Sequence, residues 1–191
     1  MNVALRQPMS VEQFLAWEER QELRYEFDGI RPIAMTGGTF AHDAIQLNLT
    51  RALSTRLRGT PCRAHGNSLK VEVMGRIRYP DAFVTCGPPP PANSTVVTNP
   101  VVMFEVLSPG TAQTDRFTKN REYAATASVQ RYVLIEQDAI AATVFERAGE
   151  DWVGHIATDD AVLDMPEIGI SIPLSELYEG IELPPLPEGG T

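Results

Sequence analysis

Two acidic side chains stand where apolar ones are expected. In VVMFEVLSPG, residues 101–110, an apolar run closes on Ser-Pro-Gly, the pattern of a buried strand entering a turn, yet Glu105 sits at its centre. In RIRYPDAFVTC, residues 76–86, the intruder is Asp81. Side chains alternate along a strand with period two, so Glu105 shares a face with Val101, Met103 and Leu107, and Asp81 with Ile77, Tyr79 and Phe83. A buried carboxylate without a partner costs several kcal/mol or takes up a proton. If the two strands are neighbours with these faces on one side, the carboxylates meet. They then repel unless a cation or a shared proton lies between them, and a hard divalent ion with oxygen ligands satisfies both. The plainer alternative is that Asp81 ends its strand in solvent while Glu105 pairs with an arginine.

A third element adds a cation. In TDRFTKNREYAA, Asp115, Lys119 and Tyr123 fall at i, i+4 and i+8 and so share one helical face. Asp115 and Lys119 are either an exposed ion pair worth a few tenths of a kcal/mol, or a lysine beside a metal-held water, able to orient it or to stabilise charge growing on a phosphate. His42 opens a predicted helix, where it could touch a phosphate, move a proton, bond Glu26, or make an ordinary structural hydrogen bond. Glu26 either supports the site or points outward from its strand, and the outward reading is preferred. His65 and His155 read as structural or surface residues.

The elements that must position these groups follow from local signals. Ser10 and Gln13 form a capping-box pattern ahead of a helix over about residues 11–20. In LRYEFDGIRPIAM, Asp28-Gly29 marks a hairpin, and Pro32 assigns its second arm to a sheet edge or bulge. His42, Ile45, Leu49 and Leu53 recur at helical spacing, predicting a helix over 41–58. SLKVEVM and RIRYPDAFVTC read as neighbouring strands about Gly75, with Pro80 disturbing the pairing at Asp81. GPPPPANSTVVTNP reads as a mobile functional loop. A strand at about 100–107, a helix over about 115–126 capped by Thr114, and the strand RYVLIE follow. AATVFER and DWVGHIA suggest a terminal hairpin through Gly149, and ELPPLPEGGT a frayed tail. The fold class expected is therefore α/β (α+β): a mixed β-sheet flanked by helices, with an N-terminal helix and hairpin and a C-terminal β-hairpin.

The 191 residues suit one domain, and a hydrophobic fraction of 43% with 21% charged residues is that of a globular chain. No apolar run approaches the roughly 18 residues of a membrane helix, and MNVALRQPMS lacks a signal-peptide core, so no membrane partner and a cytoplasmic location are expected. Cys62 and Cys86 are too few for a disulfide framework and read as ordinary small apolar residues. The net charge of −9 argues against a nucleic-acid partner, but its distribution does not. Residues 1–50 carry −3, residues 51–131 carry +6 and residues 132–191 carry −12, so the middle is compatible with a polyanion site.

In order along the chain, YEFDG, HDAIQLNL led by His42, YPDAFV, FEVLSPGT, the D-x-x-x-K-x-x-x-Y helix and RYVLIE resemble the restriction endonuclease family of the Uma-two type, within the PD-(D/E)xK nuclease superfamily. The resemblance spans about residues 10–136, a nuclease-like core followed by a terminal hairpin over about 137–175 and a tail over about 180–191 of one domain. It implies a restriction-endonuclease-like fold and Mg²⁺-dependent hydrolysis of phosphodiester bonds in DNA, with Mn²⁺ possible in place of Mg²⁺. Asp81 and Glu105 would bind the ion, with a main-chain carbonyl such as that of Val106. The superfamily places a lysine two residues after the glutamate, where this chain has Leu107, so Lys119 becomes its replacement. His42 matches the family's histidine. A homodimer is plausible for double-strand cutting. Leu107 and the net charge of −9 motivate an alternative, a non-cleaving DNA- or partner-binding module. A small phosphate-ester hydrolase is a third reading.

Overall fold

The computed structural model describes residues 8–184, so the N-terminal segment 1–7 and most of the expected frayed tail lie outside the described residues. Helix α1 (Val11–Glu18) opens on the expected capping box: Ser10 Oγ accepts from the Gln13 N–H at 3.2 Å, and Gln13 Oε1 accepts from the Ser10 N–H at 2.9 Å. Its Phe14 stacks on Phe27 with ring centroids 5.0 Å apart. Strands β1 (Tyr25–Phe27) and β2 (Pro32–Ala34) form the hairpin, and β2 is a sheet edge, where Pro32 forfeits no ladder bond. Asp28 Oδ1 closes the turn by accepting from the Ile30 and Arg31 N–H groups at 2.8 Å. Helix α2 (Phe40–Arg56), capped by Thr39 Oγ1 on the His42 N–H at 3.1 Å, buries Ile45, Leu49, Ala52 and Leu53.

The remaining strands are β3 (Cys62–Gly66), β4 (Lys70–Val73), β5 (Arg76–Arg78), β6 (Ala82–Cys86), β7 (Val96–Val97) and β8 (Val102–Val106). After a π-helical segment, Thr114–Lys119, and helix α3 (Asn120–Ala125) come β9 (Arg131–Ile135), β10 (Ala141–Ala148) and β11 (Asp151–Thr158). The described chain ends with β12 (Val162–Met165), β13 (Ile170–Pro173) and a 3-10 turn, Leu174–Tyr178.

The architecture is mixed α/β, but the single sheet expected is two mixed sheets and a hairpin. One sheet runs β2-β1-β5-β4-β7, the other β11-β10-β9-β8-β6-β3, and β12-β13 stands apart. RIRYPDAFVTC, expected as one strand, divides at Tyr79-Pro80-Asp81, with β5 in the first sheet and β6 in the second. Proline offers no N–H to a ladder, so the chain changes sheets there and leaves Asp81 at the crossing. The terminal hairpin, β10 and β11, extends the larger sheet rather than forming a separate unit.

Strand β8 lies at the heart of that sheet, parallel to β9 and antiparallel to β6, and all five of its residues are buried. This double burial explains its continuous apolar run. One face packs with α2 and the C-terminal segment around Phe104, Val84 and Leu49; the other holds Phe83, Met103, Tyr123 and Tyr132.

Three further expectations are corrected. Cys62 and Cys86 form a disulfide rather than serving as plain apolar residues, because antiparallel pairing of β3 with β6 sets them opposite each other. Thr114 does not cap a helix: its helical turn already starts upstream, where the Ala112 N–H donates to the Ser108 carbonyl at 2.9 Å. The loop over 87–100 contains β7, which pairs in parallel with β4.

Candidate functional site

Ala82 pairs with Phe104 in the antiparallel β6–β8 register, so Asp81, one residue earlier, arrives beside Glu105. Asp81 does not end its strand in solvent. Its Oδ2 accepts from the Val106 N–H at 2.7 Å and lies 3.2 Å from His42 Nε2. Gln46 Nε2 donates to the Asp81 carbonyl at 2.8 Å and to Oδ1 at 3.3 Å. Helix α2 thus presents two side chains four residues apart, His42 and Gln46, to one carboxylate. Gln46 escaped the sequence reading, although its spacing from His42 was a usable signal.

Glu105 pairs with a lysine rather than with an arginine. Lys119 Nζ donates to Glu105 Oε1 at 2.7 Å and lies 3.0 Å from Asp115 Oδ1 and 3.4 Å from Glu26 Oε1. Tyr123 OH reaches Glu105 Oε1 at 3.4 Å. The helical face read from Asp115, Lys119 and Tyr123 therefore turns inward, and the exposed-pair alternative falls because all three are buried. A wide turn holds them: the Asn120 N–H donates to the Asp115 carbonyl five residues back, a π-type bond of a kind frequent at functional sites.

Glu26 also corrects its expectation, since it is buried rather than outward. Its Oε1 accepts from the Tyr79 N–H and its Oε2 from Arg78 Nη1, each at 3.1 Å. Arg78, fully enclosed, holds Glu122 in a fork at 2.6 and 2.8 Å. These bonds anchor Glu26 where it meets Lys119. His65 stays structural as expected, bonding Thr85 at 2.9 Å and stacking on Phe83.

Electrostatically the cluster carries more acid than base. Glu26, Glu105 and Asp115 surround Lys119, and Asp81 lies in the same cleft beside His42. Burial pushes the Glu105 carboxyl well above the usual range, and Asp115, Asp81 and Glu26 add to that push against the pull of Lys119. Burial would also lower the Lys119 ammonium, but Glu105 and Glu26 outweigh it and keep the amine charged. Burial alone would raise Glu26, yet Lys119, Arg78 and the Tyr79 N–H hold it below its ordinary value. The hydrogen bond to Asp81 is the largest influence on His42 and raises it; burial opposes, while Asp43 and the Val106 carbonyl assist. Asp115 Oδ1 is buried with no hydrogen bond, because Lys119 is near enough for attraction but not aligned.

These groups line one cleft of about 810 Å³, whose lining also includes Ile33, Gly38 and Phe40. Gly38 lies so close to the His42 ring that a Cβ there would stand 3.0 Å from Cγ and Nδ1. Among the described residues no three His, Cys, Asp or Glu side chains converge as a ready metal shell. The donor set still suits a hard ion: the side chains are carboxylates, Asp115 Oδ1 is buried with no hydrogen bond and only the Lys119 ammonium beside it, and Mg²⁺ takes only one or two protein carboxylates with water filling the rest. Among the same residues no helix is long and apolar enough to cross a membrane.

The fold is shared with a crystal structure described as "a putative nuclease belonging to DUF820" from Anabaena variabilis. The TM-score is 0.73 at 20% identity, over 90% of this chain and 98% of that one. Residues 11–175 match the family described as "Uma2: Putative restriction endonuclease", and the chain belongs to that family. Two Synechocystis relatives are similar along most of their length. The protein slr1290 is 31% identical over 91% of this chain and 93% of its own; sll1609 is 25% identical over 78% and 87%. Both are described as uncharacterized proteins.

Proposed function

We propose that the protein is a divalent-metal-dependent endodeoxyribonuclease hydrolysing phosphodiester bonds. The observation that carries this reading is the meeting of Asp81, Glu105 and Lys119, from two adjacent strands and a helix, in one cleft with excess negative charge. Asp81 and Glu105, with the Val106 carbonyl, would hold Mg²⁺ or Mn²⁺. Such an ion lowers the pKa of bound water and neutralises charge on the scissile phosphate.

The chain's own groups have separate tasks. Gln46 and the Val106 N–H fix the Asp81 carboxylate, and His42, hydrogen-bonded to it, can exchange a proton with the reacting oxygen. Leu107 is buried among apolar side chains and supplies no charge. Lys119, 2.7 Å from Glu105, takes the role of the absent lysine by orienting the nucleophile and opposing charge on the phosphate. Asp115 and Glu26 aim it.

The test is cleavage of single-stranded and duplex DNA with Mg²⁺, Mn²⁺ or EDTA. Activity should require the metal and vanish in Asp81→Asn and Glu105→Gln; unchanged cleavage in either variant sinks the reading. The closeness of Lys119 to Glu105 also favours a second possibility, a charge-closed site that binds DNA without cutting it. Lys119→Ala separates the two: a nuclease loses turnover but keeps its metal, measured by calorimetry, whereas a binding module has no turnover to lose.

A further inference from the structure

We propose that the DNA engaged at this cleft is unpaired, with its bases stacked on an apolar lip formed by Ile33 and Phe40. The inference rests on the nuclease reading for the chemistry of the floor, and it adds the substrate's form. Phe40, the first residue of α2, is 80% exposed, and Ile33 on the edge strand β2 is 40% exposed. Both line the cleft that holds Asp81 and Glu105. His42 follows Phe40 by two residues and touches Asp81, so one helix end ties the lip to the floor.

Charge points the same way. Duplex binding draws on about 6–10 phosphate contacts from Lys and Arg. The basic segment 51–131 looks suited to that in sequence, but the fold neutralises it. Of its eleven basic side chains, all but Arg58, Arg63 and Arg121 lie within ion-pair distance of a carboxylate among the described residues. Arg51 and Arg56, for example, close on Glu179 and Glu176 of the acidic C-terminal third. In the cleft, Arg24 is exposed and forms no ion pair among the described residues; it hydrogen-bonds the Asn67 carbonyl and lies over the Tyr79 ring at 5.8 Å. One arginine and an exposed aromatic suit a strand held by stacking, which every base supports, better than a duplex held by its phosphates. The cleft volume is that of a small-ligand pocket, enough for extruded bases.

The test is fluorescence anisotropy with a labelled oligonucleotide, single-stranded or annealed to its complement. It is run in EDTA and again in Mg²⁺ with the Asp81→Asn variant, so that no strand is cut. The single strand should bind about tenfold or more tightly than the duplex, Phe40→Ala should remove about tenfold of that affinity, and Phe40→Trp should retain it. Phe40 is exposed, so thermal stability should not change in either variant. Equal or tighter duplex binding, an unaltered Phe40→Ala, or a loss shared by both DNA forms overturns the inference. Cleavage is not read in this experiment. A nuclease that cuts duplex DNA with Phe40→Ala unaffected would thus defeat the lip alone, and strand-selective binding without any cleavage would defeat the nuclease reading alone.

Discussion

The chain has two lysines, Lys70 and Lys119, and both are buried, yet they sit in opposite kinds of surroundings. Lys70 meets one carboxylate, Glu18, at 2.7 Å, and the other oxygen of Glu18 accepts from Tyr79 OH at 2.8 Å. That group is neutral and complete, and it pins the last residue of α1 to β4. Lys119 meets three carboxylates within 3.4 Å, one of which keeps an oxygen without a hydrogen bond. A balanced buried pair fastens elements together, whereas an unbalanced one stores charge that a ligand can relieve. The difference teaches that burial of a lysine identifies nothing by itself; the count of opposing charges does.

The sharpest way to break this comparison is to remove each ammonium in turn. Lys119→Met should lower DNA cleavage by on the order of 10²–10³, the scale of losing one group that stabilises transition-state charge. Lys70→Met should leave the rate per folded molecule within about twofold, since Lys70 and Glu18 lie outside the cleft lining and meet the site only through Tyr79, whose N–H bond to Glu26 the substitution leaves in place. Similar rate losses in both variants, measured at a temperature where both are folded, would erase the distinction.

Stability should rank the two in terms of what each leaves behind. Lys70→Met strands Glu18 and should cost about 3 kcal/mol, a Tm loss of roughly 6–12 °C for a chain of this size. Adding Glu18→Gln should recover part of it, because the stranded charge disappears. Glu105→Gln should act in the other direction. Burial and neighbouring acids raise the Glu105 carboxyl, so its ionised form opposes folding above the unfolded value of 4.5 and the group favours the fold at lower pH. The metal-free variant should therefore be more stable than the parent near neutral pH, read as a higher Tm, while losing activity. A Tm that falls instead would mean that Lys119 needs Glu105 more than the cluster needs relief.

The site was more legible than its frame, and the reason is range. Period-two alternation exposed Asp81 and Glu105 as intruders, and helical spacing tied Asp115 to Lys119; both signals act over a few residues. The same local range gave α2 and the hairpin at Asp28-Gly29. CRAHG, by contrast, mixes Arg and His within five residues and shows no period, so β3 went unread and the Cys62–Cys86 pairing with it. Glu26 lies on a strand of three residues, too short for alternation to fix which way a side chain points. The neutralisation of the basic middle was hidden because Arg56 and Glu176 are 120 residues apart and meet only in the fold.

Histidine titration gives the finest measure of the same charge imbalance. His42 is raised above 6.5, by Asp81 first, whereas burial and then Arg63 lower His65 below it. In the metal-free protein, NMR titration of the ring protons should therefore show His42 releasing its proton at higher pH than His65. For stability the sign is fixed: a histidine with a raised folded value contributes fully below about 6.5, and the contribution fades as pH rises through that higher value. Asp81→Asn should move His42 downward, since burial then acts with less opposition. A His42 that titrates with or below His65 would mean that the negative excess around Lys119 does not extend to Asp81. The two halves of the site would then be electrically separate, and a single cation bridging them would have no field to draw it in.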